Sequence, residues 1–330
     1  MEQKIVHLCT EYNLGNVTSK PAMITGGLLH KMYRVVTDKG EYAVKALNPD
    51  IMQRPAAMRN MVNSERISHA LKKEIPLIAA REFDGKRKHV IGLDNVYYMV
   101  FEWLEGKTVF MPQITKYHCE QIGKILGKIH SSNLCLDGIE KEQDSRDLFD
   151  WDSLLEEAQK QNAAWYLAFE ESILQIKEWD KLVVDSMPSL SEYQVISHRD
   201  LDPKNVMWKD DMPFIIDWEA AGYVNPFQEL VEVLNYWTVD ANGDYDKEKC
   251  KAMMQAYKQY MDMSKADWAA VLNGSFDGML GWLAYNVKRA LGLEGSSEMD
   301  KREGEEQLIE TIHELKRYDS CVEQLKDFLS

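Results

Sequence analysis

The rhythm of apolar and polar positions changes about a third of the way along the chain. Up to residue 105 the apolar positions come in short runs, the period-2 pattern of strands. Residues 32–37 and 41–47 are two such runs, rich in β-branched and aromatic side chains, and Asp38-Lys39-Gly40 between them predicts a hairpin turn. Residues 54–72 follow another period: Met58, Met61, Val62, Ile67 and Leu71 recur every three or four positions, which predicts a helix closed before Pro76. Residues 78–83 and 89–93, around Asp84-Gly85, and then 96–102 predict further strands, and Gly106 breaks the last. Beyond that point the pattern is mainly helical. Residues 115–131 place Ile122, Ile125, Leu126 and Ile129 on one face, and 151–179 form a long acidic helical region. Residues 194–196 read as a short strand, residues 206–208 and 214–216 flank a second hairpin turn at 209–212, and helical periodicity resumes at Phe227. The expectation is an α+β chain of two lobes: an antiparallel sheet with one helix over 1–105, a hinge near its end, and a mainly helical lobe over 106–330.

Composition narrows the classes. With 330 residues, 45% of them apolar and 28% charged, the chain has the balance of a globular protein. There are 39 basic and 54 acidic residues, a net charge of −15, which argues against a nucleic-acid binder because that function needs a basic face. The excess is uneven: residues 1–105 carry +3 and residues 106–330 carry −18. The second part is either solvated by its carboxylates or built to receive something cationic. Five cysteines, with no C-x-x-C and no zinc spacing, read as thiols of a reducing compartment. No secretory leader pattern opens the chain and no run approaches the length of a membrane span, so a cytoplasmic protein without a membrane partner is expected.

The chemistry-bearing segment runs from Val195 to Asn205 and contains H-R-D-L-x-x-x-N. A loop of this length after a strand aims the carboxylate of Asp200 and the amide of Asn205 into one place. The carboxylate can orient a hydroxyl and take its proton, and the amide oxygen can hold Mg²⁺. After the second hairpin, Ile215-Ile216-Asp217 offers another carboxylate at a strand end, where it can hold metal that bridges phosphates. In the first lobe, Tyr42-Ala43-Val44-Lys45 puts a lysine in a strand among apolar neighbours, placed to reach α- and β-phosphates if an acid holds it. Glu65 on the following helix is the chosen partner, with Glu74 as a rival. Gly26 and Gly27 offer backbone N–H groups for phosphate, or a plain hairpin turn. Backbone at Glu102 and Leu104 can face an adenine. His198 is expected to pack beneath the loop.

Y-A-V-K, F-E-W-L-E-G, S-H-R-D-L-D-P-K-N-V-M-W and I-I-D-W-E-A-A resemble the aminoglycoside phosphotransferase/choline kinase group of protein-kinase-like enzymes, over roughly residues 20–290. The resemblance implies a two-lobe kinase-like fold, ATP (or GTP) and Mg²⁺ as cofactors, Asp200 as catalytic base, Asn205 and Asp217 as metal ligands, and Lys45 with Glu65 on the nucleotide phosphates. Two features depart from the pattern: Arg199 stands where the group more often has glycine, and no glycine signature marks the phosphate loop. Only nine residues separate Asp217 from Phe227. That leaves no room for a peptide platform and favours a small-molecule acceptor.

The acidic second lobe favours a cationic acceptor. An aminoglycoside, with an antibiotic-resistance role, would need several carboxylates; choline or another amino alcohol would need an aromatic cage. Asp147, Asp150, Asp152, Glu156, Glu157, Glu170 and Glu171 are the candidate acids, and Trp151, Trp165, Tyr166, Trp237, Trp268 and Trp282 the candidate rings. Asp202, two past the base, is read either as an acceptor contact or as a turn cap. Three readings follow: a kinase of an aminoglycoside-like molecule, a kinase of a small amino alcohol or sugar, and a nucleotide-binding protein without activity.

Overall fold

The strand rhythm of the first hundred residues becomes one antiparallel sheet. In this computed structural model, which describes residues 1–24, 30–83, 88–141, 143–295 and 297–329, the chain opens with α1 (Glu2–Glu11) and β1 (Ala22–Ile24). The hairpin β2 (Lys31–Val36) and β3 (Glu41–Ala46) follows, then α2 (Pro49–Met52), α3 (Ala57–Leu71), β4 (Ile91–Leu93) and β5 (Val96–Glu102). The strand order is β1-β2-β3-β5-β4, and Lys45 lies opposite Met99 in the β3–β5 register.

Because successive side chains point to opposite faces of a strand, the sheet has two cores. On one face Val35, Tyr42, Val44, Tyr98 and Val100 pack with Ile5, Leu8 and Cys9 of α1. On the other, Met99 packs with Met61 of α3, Leu47, Ala80 and Val90. α1 is thus a second helix on a sheet expected to carry one. Residues 78–83 do not form a strand; they cross the α3 face with isolated pairings, such as Arg81 N–H to Val100 O at 2.7 Å.

Then come α4 (Lys116–Ser131), α5 (Trp151–Lys160), α6 (Tyr166–Glu192), β6 (Val195–Ser197), the hairpin β7 (Val206–Lys209) and β8 (Met212–Ile215), and β9 (Gly222–Val224). The helices α7 (Pro226–Thr238), α8 (Lys247–Tyr257), α9 (Trp268–Gly274), α10 (Asp277–Ala290) and α11 (Glu298–Leu329) complete the chain.

The chain divides into two compact units, cut differently from 1–105 and 106–330. One holds Met1–Phe110, Ser132–Ile139 and Ile196–Gly222; the other holds Met111–Ser131, Glu140–Val195 and Tyr223–Ser330. The second hairpin joins the first unit because its backbone is bonded there. Lys107 and Trp208 exchange N–H···O bonds of 3.1 and 2.8 Å, and Ile78 N–H donates to Ile215 O at 2.9 Å.

The helical unit is fixed by close approach and buried polar pairing. Gly123 of α4 lies where a Cβ would stand 2.4 Å from the Met253 carbonyl oxygen of α8. Within it, His130 bridges Glu229 (2.7 Å) and the Tyr257 hydroxyl (2.8 Å), all three fully buried. Arg146 reaches Asp180 at 2.8 Å and Asp277 at 2.9 Å. No helix of the described residues is long and apolar enough to cross a membrane.

Candidate active site

The loop after β6 is held from below by His198. Its Nε2–H donates to Ile216 O at 3.0 Å, and its Nδ1 accepts the Asp200 N–H at 3.3 Å. These two bonds settle the tautomer, and the fully buried ring stands edge-on to Trp218 at 4.7 Å. Arg199 takes the left-handed conformation, φ 66°, which turns the chain so that Asp200 follows at once.

Asn205 closes the loop. Its Nδ2 donates to Asp200 O at 2.8 Å and to Asp200 Oδ2 at 2.9 Å, leaving the amide oxygen as the donor a cation would use. Asp202 caps the 3-10 turn Pro203–Asn205 by accepting the Lys204 N–H at 2.8 Å through Oδ1. Lys204 Nζ lies 3.2 Å from Asp200 Oδ1. Burial raises the Asp200 pKa above the ordinary aspartate value; the Lys204 ammonium and His198 oppose the rise without cancelling it.

Asp217 follows β8 in the left-handed conformation, φ 58°, and opens the 3-10 turn Trp218–Ala220. The two segments are stitched one residue earlier, where Ile216 N–H donates to Asn205 O at 3.0 Å. Lys45 emerges on the α3 face of β3 and bonds Asp217 Oδ1 at 3.1 Å and the carboxylate of Glu219. Burial alone would lower the Lys45 pKa, but Asp217 and Glu219 outweigh it and raise the value. Glu219 also lies 3.5 Å from Nε2 of buried His30, whose Nδ1 accepts the Asn48 N–H at 3.0 Å. Burial would raise Glu219; the His30 contact and the Lys45 ammonium hold it well below the ordinary glutamate range.

Glu65 stands near this group without bonding Lys45. Its Oε2 accepts the Ala80 N–H at 2.8 Å and the Ser68 hydroxyl at 3.2 Å. Burial lifts its pKa to about 7, against the pull of those hydrogen bonds and of the Lys45 charge. The direct salt bridges of Lys45 therefore go to Asp217 and Glu219, because Glu65 is already held by the backbone of the crossing segment. The rival Glu74 is exposed beyond the C-terminus of α3.

The loop spacing brings Asp200 together with Asn205, and the fold adds Lys45 beside Asp217, all in the first unit. Glu102 ends β5 with its carboxylate 3.0 Å from Arg81, and Trp103 N–H still bonds Glu41 O at 3.0 Å before Leu104. Gly26 and Gly27 lie outside the described residues. Three residues at the site were not anticipated: Glu219, His30 and Lys204. Two of them sat inside motifs already quoted, Glu219 two past Asp217 and Lys204 next to Asn205. His30 had no local signal.

The donor set is an amide oxygen and a carboxylate, hard oxygen ligands that suit Mg²⁺ rather than a thiophilic ion. Asn205 and Asp217 are the residues of this site that would hold it.

Two curated relatives are homoserine kinases. That of Rhodospirillum rubrum is 22% identical over 271 residues, covering 79% of this chain and 77% of the relative. That of Parvibaculum lavamentivorans is 26% identical over 175 residues, covering 51% of this chain; this match spans half the length of that relative. Among solved structures, a spectinomycin phosphotransferase in complex with ADP and spectinomycin superposes with a TM-score of 0.72 at 15% identity, covering 96% of this chain and 99% of that one. That likeness shows the same kinase-like fold. A sequence profile matches residues 22–262, a span that contains Lys45, Asp200, Asn205 and Asp217, and by that match the chain belongs to the phosphotransferase enzyme family.

Proposed function

We propose that the protein transfers the γ-phosphoryl group of ATP to a hydroxyl of a small ammonium-bearing alcohol. The carrying observation is the Asp200–Asn205 pair stitched to Asp217, with Lys45 on the same unit. Asp200 accepts the acceptor's hydroxyl proton as the new O–P bond forms. The bond from the γ-phosphorus to the β–γ bridging oxygen breaks, and ADP leaves with that electron pair. Lys45 binds the α- and β-phosphates; its salt bridges to Asp217 and Glu219 set its position, and Glu65 acts on it through charge alone. Lys204, beside Asp200, adds positive charge where the transferred group is most anionic. Mg²⁺ at Asn205 and Asp217 would neutralise phosphate charge. Asp202, Glu102 and Leu104 retain their proposed contacts to acceptor and adenine.

For the acceptor, an amino alcohol of homoserine size is tested first. Two homoserine kinase relatives support it. Of the candidate rings, Trp151, Trp165 and Trp237 are buried in the core and Trp282 is 40% exposed. An aminoglycoside-like amino sugar is the second acceptor to test, supported by the fold shared with the spectinomycin enzyme. The experiment is ADP release from Mg-ATP with homoserine, ethanolamine, choline and aminoglycosides. Turnover with any of them bears the proposal out; no turnover together with no Mg-ATP binding overturns it.

A further inference from the structure

A second polar cluster lies on the α3 side of the sheet. Glu65, His69 and His89 each bring one ligand atom within 4.8 Å of the other two. Glu65 and His69 are four residues apart on α3, so they project from one face of the helix. His89 comes from the segment just before β4, and its ring lies 4.3 Å from that of His69.

The hydrogen bonds around the cluster leave specific atoms uncommitted. His69 Nε2 is 2.8 Å from Ala80 O, so it carries the proton and Nδ1 presents a lone pair. That Nδ1 is 3.5 Å from Glu82 Oε1. Glu65 Oε2 is held by the Ala80 N–H and the Ser68 hydroxyl, which leaves Oε1. His89 is 97% buried (3% exposed), yet its Nδ1 has no hydrogen-bond partner. A buried nitrogen with no partner calls for an explanation. Ligating histidines usually give their other N–H to a carbonyl, and ligating carboxylates are themselves hydrogen-bonded. His69 and Glu65 both meet that description before any ion is added.

We propose that Glu65, His69 and His89 bind one Zn²⁺-type transition ion, with Glu82, which reaches His69 Nδ1 but lies outside the 4.8 Å group, swinging in as the fourth ligand. Two imidazoles and two carboxylates suit such an ion, whereas Mg²⁺ prefers oxygen alone. Bonds of about 2.0–2.1 Å put tetrahedral ligand atoms about 3.4 Å apart, so closing from 4.8 Å needs side-chain movement of roughly an ångström. The ion would tie α3 to Glu82 and His89. It would also draw on Glu65, the carboxylate that the Lys45 charge reaches. The site does not rest on the kinase reading, since Lys45, Asp200, Asn205 and Asp217 are not among its ligands; Glu65 is the one residue that both use.

The test is a Zn²⁺ titration of the metal-stripped full chain in excess Mg²⁺, which saturates the hard-oxygen site, with Co²⁺ as the spectroscopic probe. The expected result is one ion per chain and the visible absorption of four-coordinate Co²⁺. Affinity should fall at least ~10-fold in His69→Ala and His89→Ala, and less in the half-exposed Glu82→Gln. Circular dichroism verifies folding, and His89→Gln replaces His89→Ala if the latter does not fold. Failure of the wild-type chain to bind Zn²⁺ stoichiometrically overturns the proposal. So does unchanged affinity in folded variants of both histidines.

Discussion

Asp200 must be ionised to accept a proton, and its surroundings make ionisation harder than in water. Burial raises its pKa, so the acid limb of kcat/KM should lie above the ordinary aspartate value of 3.8, and a pH–rate profile reads this directly. Asp200→Asn should lower kcat about 10²–10⁴-fold while Mg-ATP affinity, measured by calorimetry, stays within about 2-fold. Retained turnover would remove Asp200 from the base role. Glu65 gives a stability prediction of definite sign. Its folded value of about 7 lies above the 4.5 of a free glutamate, so between those pH values the folded chain keeps a proton the unfolded chain has lost. Its contribution is full below pH 4.5 and is lost as pH rises through 7. Glu65→Gln should therefore gain stability at pH 8 relative to pH 5, on the order of 2 kcal/mol against wild type by urea unfolding. Equal pH slopes for the two proteins would mean that Glu65 is already ionised at pH 5 in the fold. At this scale the base and its amide were legible because five positions of chain set their separation. The salt-bridge partners of Lys45 were not: Asp217 and Glu219 are 172 and 174 positions away, and nothing local favours them over Glu65.

Elements show the same division. The β7–β8 hairpin turns through Asp210 (φ 49°) and Asp211 (φ 61°), two left-handed residues in succession. Such turns favour glycine at the second position because the left-handed conformation costs other residues about 1–2 kcal/mol. Asp211→Gly should raise the midpoint of thermal unfolding, by about 1 kcal/mol in free energy, with kcat unchanged; a lower midpoint would show that the Asp211 side chain matters more than its backbone. On α4, Gly123 permits the close crossing with α8. Gly123→Ala puts a Cβ 2.4 Å from a backbone oxygen, so the helices must separate, at a cost of about 1–3 kcal/mol in unfolding free energy. The hairpins and α3 were legible from period and turn residues. α1 was not anticipated, and residues 78–83, strand-like in composition, run as a crossing segment because their hydrogen bonds go to β5, the second hairpin and Glu65.

For the molecule as a whole, the charge division supports a prediction about the acceptor. Residues 106–330 carry the entire acidic excess, and a cationic acceptor would feel it over the Debye length. Raising ionic strength from roughly 0.05 to 0.5 M should raise the acceptor KM several-fold, with a smaller change in kcat. A KM indifferent to salt would count against a cationic acceptor. The charge boundary and the structural boundary do not coincide, since residues 196–222, with the catalytic loop and Asp217, belong to the first unit.

What the sequence determined alone was whatever depends on distance along the chain: strand and helix periods, the turn at Asp38-Lys39-Gly40, and the spacing of Asp200, Asn205 and Asp217. These survive in any compact arrangement because covalent geometry limits how far apart such residues can be. Tertiary structure decided the rest. It gave Lys45 its carboxylates, put His30 against Glu219, moved the second hairpin into the first unit, and gathered Glu65, His69 and His89 under one sheet. Those outcomes depend on which buried polar groups find partners once the apolar faces have packed, and a linear pattern does not carry that information.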